Sequence, residues 1–294
     1  MTAINIMSLR HSAFYTPLLV CISGGFLKEQ GLDPHYEVQT PGRTVDDTLR
    51  SGETHLAQSA VATSFAALEM GKLVDIVHFA QINERDGFFL AGRDAETSFD
   101  WTTLRGREVL VDHFFQPLAM FKYALHKQGI AFDDIKVIDA GDVAAIDLAF
   151  RHGQGDFVHQ QGPAPQQLEQ DGLGHVVASI GEVVGPVAFS SLCAHRDWLE
   201  TDMAQSFMQA YRKARQFTID TSPQELARLI QVFFPVVDPV VLAHTLRTYQ
   251  QLGCWTPDPT ISESAYERLL DVFLYSGVIK KRHPYAAAIV SPPA

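Results

Sequence analysis

The hydrophobic positions change period along the chain, alternating between short unbroken apolar runs and wider helical spacings. Ile4–Ser8 reads INIMS and predicts a short buried strand. A loop, Arg10–Tyr15 (RHSAFY), follows it. Thr16-Pro17 then supplies an N-cap and a proline at the first helical position. Leu18, Leu19 and Ile22 give this helix an apolar face, and Gly24-Gly25 stop it. His35–Gln39 predicts a second strand, and Val45–Ser51 a helix closed by Gly52. His55–Gln58 predicts a short strand, and Ala62–Met70 a helix closed by Gly71. Asp75–Ala80 and Gly87–Ala91 read as further strands. Strands alternating with helices over such short joints predict a mostly parallel α/β sheet.

The pattern then restarts. After a polar, turn-rich stretch over Arg93–Arg105, Glu108–Val111 is a strand and Leu118–Lys127 a helix ended by Gly129. Lys136–Asp139, Asp156–His159 and His175–Ser179 are strands, with helices near Val143–Arg151 and Pro165–Glu169. This is a second α/β lobe. From Trp198 onward long helices take over. Ser222-Pro223-Gln224-Glu225 has the capping-box spacing, and Tyr266, Leu269, Leu270 and Phe273 form one apolar stripe.

Composition narrows the function classes. The 294 residues, 46% hydrophobic, suit one large domain or two lobes at ~100–200 residues each. A formal charge of −11 leaves no basic stripe for a nucleic-acid backbone. Cys21, Cys193 and Cys254 show no CxxC spacing, which argues against a disulfide framework or a structural zinc site. No run of ~18 apolar residues is present, so no membrane-spanning segment is expected. MTAINIMSL has no basic or long apolar leader pattern. The expected location is therefore cytoplasmic for the chain as written, or extracytoplasmic if a leader has been removed.

In sheets of this kind the ligand lies beyond the carboxyl ends of the strands. That rule selects four loops. The first holds Arg10, His11, Phe14 and Tyr15, and the second Ser59, Ala60 and Thr63. The third holds His113, Phe114, Phe115 and Gln116, and the fourth His159, Gln160 and Gln161. The aromatic rings are suited to sandwich a flat ligand, and the amides to read its heteroatoms. Twelve histidines carry no HExxH or comparable spacing, so no metal is expected. No cofactor fingerprint appears either: HGQGD at His152–Asp156 lacks the third glycine of a dinucleotide loop.

Four segments in order resemble a known family. GGFLKEQGLD (Gly24–Asp33) is similar to the helix–turn–strand joint near the start of ABC-transporter substrate-binding proteins for nitrate, sulfonates, taurine and thiamine-pyrimidine precursors. Leu49–Gly71 resembles that family's strand, ligand-facing loop and helix, and Asp100–Asp112 the opening of its second lobe. Cys254–Ile279 fits its helical tail. The resemblance implies a two-lobed periplasmic-binding-protein-like fold (type II), α/β with flanking helices, joined by two crossover strands. Those crossings fall at Phe88–Arg93 and Val187–Ala194, which adds Ser190 to the candidate site. One lobe would comprise 1–91 and 192–294, the other 92–191. The implied function is capture of a small, partly aromatic or anionic metabolite between the lobes, with an ABC permease as partner.

Enzymes share this fold, so a cytosolic lyase or decarboxylase-like activity, or one of the menaquinone-pathway type, is the alternative, using His11, His113 or His159. Two enzyme types fit poorly. Where the thiamine-pyrimidine synthase needs its cofactor lysine and donor histidine, this chain aligns Ser59 and Thr63. Its cysteine cluster falls on SSLCAH, Ser190–His195. The desulfinase type needs a cysteine where this chain has Ser12, a poor nucleophile without an adjacent base.

Overall fold

The computed structural model describes residues 1–95 and 98–294. Two residues of the polar stretch Arg93–Arg105, Glu96 and Thr97, lie outside them. The first lobe begins with β1 (Thr2–Ser8), α1 (Thr16–Ser23), α2 (Phe26–Glu29), β2 (Leu32–Val38) and α3 (Val45–Ser51). It continues with β3 (Leu56–Ser59), α4 (Phe65–Glu69) and β4 (Ile76–Asn83). Then come β5 (Phe88–Gly92), β6 (Glu108–Val111), α5 (Phe115–Lys127), β7 (Lys136–Ile138) and α6 (Val143–Arg151). β8 (Phe157–Gln161), α7 (Ala164–Gln170), β9 (His175–Ser179) and α8 (Ile180–Val184) complete that part. β10 (Ser190–His195) leads into four helices: α9 (Asp202–Asp220), α10 (Pro223–Ile230), α11 (Pro239–Gln251) and α12 (Glu263–Tyr275).

The strands form two five-stranded sheets, ordered β2-β1-β3-β10-β4 and β7-β6-β8-β5-β9. In each, three neighbours pair in parallel and one inserted strand runs antiparallel to both its partners. The inserted strands are β10 and β5, the two crossings. Each enters from the other lobe, which is why its direction is reversed. Residues Phe88–Ala91, expected in the first lobe, therefore belong to the second sheet, and β10 lies whole in the first. The chain changes sheet over residues 84–87 and 185–189.

Local chemistry explains the remaining departures from the periodic reading. β2 begins three residues earlier than expected and contains Pro34, which an edge strand tolerates because its missing N–H faces no partner. The joint GGFLKEQGLD (Gly24–Asp33) is not a plain turn. Gly24 keeps right-handed helical angles, and Gly25 alone takes a positive φ of 87° before the single-turn helix α2. Phe26 meets Phe217 of α9 edge-on at 5.6 Å, sealing the joint against the helical layer.

One hydrophobic core runs through both lobes. At the crossings it is dense. A Cβ on Gly87 would sit 2.6 Å from the Phe14 ring, and one on Gly181 would overlap the carbonyl oxygen of Asp86. Gly181→Ala should therefore lower unfolding free energy by roughly 1–3 kcal/mol, because backbone, unlike a flexible side chain, cannot step aside. Urea unfolding checks this; an unchanged midpoint would mean the junction is looser than its geometry.

Candidate functional site

The loops following β1, β3, β6 and β8 converge in the cleft between the sheets, and the lobes are closed on one another. Arg10 of the first lobe pairs with Asp112 of the second at 2.8 Å. Ser12 Oγ donates to the carbonyl of Gly162, and Tyr249 Oη to that of Gly87. At the cleft's flank His126 stacks on Tyr275 at 4.2 Å and Phe115 meets Phe273 at 5.0 Å.

Closure divides the cleft into two chambers with Arg10 and Gln161 on their common wall. The inner one is aromatic: Tyr15, Phe88, Phe114 and Phe189 surround a cavity of ≈ 30 Å³, about the volume of one water. Besides Arg10 and Gln161, its polar groups come from Gln58, Gln116 and Ser190. Gln58 is fully engaged. Its Oε1 accepts from the Arg10 N–H and its Nε2 donates to Ser190 Oγ, which in turn donates to the Ser59 carbonyl. Gln116 is not. Its Nε2 donates to the Phe189 carbonyl at 2.7 Å, while its buried Oε1 has no partner among the described residues. Burial pushes the Tyr15 phenol up to about 12, so it remains a donor, with Gln161 and Ser190 in reach.

The Arg10 guanidinium lies 5.0 Å from the Phe114 ring centre and 5.9 Å from that of Phe88. Asp112 Oδ1 accepts from the Phe114 N–H, which holds that carboxylate in line with Arg10. The cation is thus clamped between rings and neutralised by a carboxylate that is almost fully buried.

The outer chamber is larger, ≈ 690 Å³, within the usual range for small-molecule sites. His11, Ser12 and the 236–238 segment form its first-lobe wall. The second-lobe wall is built from α6, the end of β8 and the start of α7, which follows a cis Gly162-Pro163 bond.

The candidate residues from the sequence divide by position. Arg10, Tyr15, Ala60, Phe114, Gln116, Gln161 and Ser190 line the inner chamber; Arg10, His11, Gln160 and Gln161 line the outer one. Phe14 lines neither; it is fully buried, T-shaped against Phe189 at 5.5 Å. Its carbonyl accepts from Asn83 and Trp255, so it supports the floor. Phe115 begins α5 and packs on α12 instead of entering the cleft. Ser59 and Thr63 face a separate surface depression beside Asp46, Arg50 and Asp75. The β3 pleat explains the split: Gln58 and Ala60 point one way, Ser59 the other.

The candidate histidines already have partners, including His11 at the outer chamber. His159 is fully buried between the Phe88 and Phe121 rings, 4.7 Å from each, and burial pushes its pKa down to about 3. His113 bonds the Val111 carbonyl at 2.8 Å. His11 bridges Tyr36 Oη and the Phe233 carbonyl and stacks on Phe234. Gln58, Phe88 and Phe189 also line the inner chamber and lie outside the four loops that the strand-end rule selects: Gln58 inside β3, Phe88 at the start of β5 and Phe189 just before β10.

Comparison with known proteins agrees with this architecture. Residues 13–225 match the family described as NMT1/THI5 like. The "Putative binding protein YtlA" of Bacillus subtilis (strain 168) is 32% identical over 289 residues, covering 97% of this chain and 86% of that protein. A ligand-binding component of an ABC-type import system from Staphylococcus aureus, solved with zinc bound, superposes with a TM-score of 0.77 at 15% identity, over 99% of this chain and 97% of that one. Among the described residues here, no group of three or more His, Cys, Asp or Glu can hold a metal ion. The alkanesulfonate-binding protein SsuA from Xanthomonas axonopodis pv. citri, bound to MOPS, gives 0.74 at 16% identity over 99% of both chains. At such identities these structures establish the two-lobed fold. The family match and the YtlA relationship go further: this chain belongs to the NMT1/THI5-like family.

Proposed function

We propose that the protein is the solute-binding component of an ABC-type importer, holding a small, flat, net-uncharged heteroaromatic solute of the pyrimidine kind in the inner chamber. The observation that carries this reading is the unpaired, buried Oε1 of Gln116 within a ring of four aromatic side chains. An orphaned acceptor in a closed apolar site is costly, and a ring N–H or amine of a ligand would satisfy it. Stacking on Phe114 and Phe189 would supply the affinity. At ≈ 30 Å³ the closed chamber is too small for such a ring, so the lobes open about residues 84–87 and 185–189 to admit it.

A sulfonate or aromatic acid is supported less well. Arg10, the chamber's cation, already has Asp112 as its counter-charge. An anion would have to displace that carboxylate within a buried site. The enzyme reading lacks a free base: each candidate histidine is tied to a carbonyl or sealed between rings. Delivery of the captured solute calls for a membrane permease as partner, which the fold's use in import systems supports. On that route the protein works outside the cytoplasm.

Isothermal titration against pyrimidines, aliphatic sulfonates and benzoates tests the assignment. A pyrimidine should bind and be recovered unchanged, and Gln116→Leu should weaken it roughly tenfold, the loss of one hydrogen bond in a buried site. Preference for a sulfonate, or recovery of a converted product, would overturn the reading.

A further inference from the structure

The second lobe holds a receptor shaped for one residue of the first. Asp112, immediately after β6, divides its carboxylate between two donors. Its Oδ1 accepts from the Phe114 N–H at 2.8 Å, and its Oδ2 from Nη2 of Arg10 at 2.8 Å. The first of these bonds lies within the second lobe, so it orients the carboxylate before Arg10 arrives. The Phe88 and Phe114 rings form two further walls, their centres 5.9 and 5.0 Å from the guanidinium carbon.

Arg10 is fixed on its own side as well. Its N–H donates to Gln58 Oε1, and Gln58 Nε2 donates in turn to Ser190 Oγ, so the backbone from which the side chain reaches across is pinned. With the lobes together, the Arg10 side chain is 21% exposed and that of Asp112 6%. Among the described residues no other ion pair joins the lobes; each of the rest stays within one of them.

We propose that Arg10 is a positioning residue for lobe closure: its docking between Phe88, Phe114 and Asp112 sets the equilibrium between open and closed lobes. In the open state guanidinium and carboxylate both face water, where their attraction is weak. In the closed state a charge-assisted hydrogen bond and two aromatic faces act on the same cation in a space largely cleared of water. Desolvation opposes closure. The receptor offsets it because carboxylate and backbone are oriented in advance, so little further ordering is needed. This step precedes entry to the inner chamber and does not depend on which solute that chamber takes.

Pulsed electron double resonance on the full chain, with no solute added, tests the proposal. Spin labels on Val232→Cys in the first lobe and Leu148→Cys in the second report the separation. These positions are 73% and 54% exposed, whereas the three native cysteines are buried. The labelled parent should show one predominant short distance. Arg10→Gln removes the cation, and Asp112→Asn keeps an acceptor for the Phe114 N–H. Each should lower the closed-to-open ratio roughly tenfold, the worth of one charge-assisted contact. The double variant should be no more open than the more open single variant, because the two residues act as one unit. Arg10→Lys, which keeps the charge without the planar fork, should fall between the parent and Arg10→Gln. Circular dichroism and thermal midpoints verify that each variant is folded. A parent found mostly open, a ratio unchanged in the folded single variants, or single effects that add in the double variant would overturn the proposal.

Discussion

Replacing Arg215 by methionine should cost roughly 2–5 kcal/mol of folding stability, the range for leaving two carbonyls inside the fold without donors at about 1–3 kcal/mol each. Arg215 sits on α9 with no solvent exposure. Its Nη1 donates at 2.9 Å to the carbonyls of both Gln81 and Ile82, and its Nε to that of Thr256. The same guanidinium reaches Thr256 Oγ1, and Tyr211 Oη adds a bond to the Gln81 carbonyl. Methionine fills much of the volume but donates nothing, so the Ile82 and Thr256 carbonyls lose this donor and that of Gln81 keeps only Tyr211 Oη. The Gln81 and Ile82 carbonyls belong to the end of β4, immediately before the first crossing, so the loss should loosen the joint between the sheets. Urea unfolding measures the first effect. Hydrogen exchange at residues 81–88 measures the second. A midpoint unchanged from the parent protein would show that the carbonyls find water instead.

The second large effect is a pH dependence arising at the same joint. Asp86 is fully buried between β4 and β5, where burial pushes its carboxyl up to about 8 and the nearby Asp112 adds to the rise. Its Oδ1 accepts from the Phe88 N–H, and Oδ2 has no partner among the described residues. A carboxyl whose folded pKa lies above its unfolded value favours the protonated folded state. Its stabilising contribution is complete below pH ~4, declines through neutrality, and is exhausted above about pH 8. Over that span the linked loss amounts to a few kcal/mol, at ~1.4 kcal/mol per pH unit. Asp86→Asn keeps the acceptor for Phe88 and removes the ionisation. The variant should therefore be less pH-sensitive than the parent between about pH 4 and 8, the window in which the parent titrates, and the more stable of the two at the upper end. Parallel unfolding curves with identical pH slopes would show that Asp86 is ionised throughout.

Gly181 packs against the Asp86 backbone and Gly87, the next residue in the chain, against the Phe14 ring, so the buried carboxyl lies where the first crossing is most tightly packed. Closure brings Arg10 to Asp112 and Ser12 to Gly162 across the cleft. Opening must break both, and a ligand must offer more to the closed state than these contacts already do.

Much of the architecture was legible in the amino-acid order. Apolar runs, N-cap residues and glycine stops act over a few residues, so β1, α1, α3, α6 and α12 follow from their own segments. Two lobes, the sheet rule for ligand loops and the family resemblance needed nothing more. The strands that change sheet were harder to divide. An apolar run such as Phe88–Ala91 states that it is buried on both faces, and not in which sheet.

At the site the boundary is sharper. Neighbours in sequence separate in space: Phe14 supports the floor while Tyr15 lines the chamber, and Ser59 turns from the cleft that Gln58 and Ala60 face. Gln58 meets Ser190 across 132 positions, and Arg10 meets Asp112 across 102. By itself the sequence determined most of the strand and helix order, the two-lobed class and the loops at the carboxyl ends of the strands, because these depend on local propensity and periodicity. Only the tertiary structure decided which of those side chains enter the cleft and which charges arrive already neutralised. Facing and pairing are set by pleat direction and by partners a hundred residues away, and no local pattern records either.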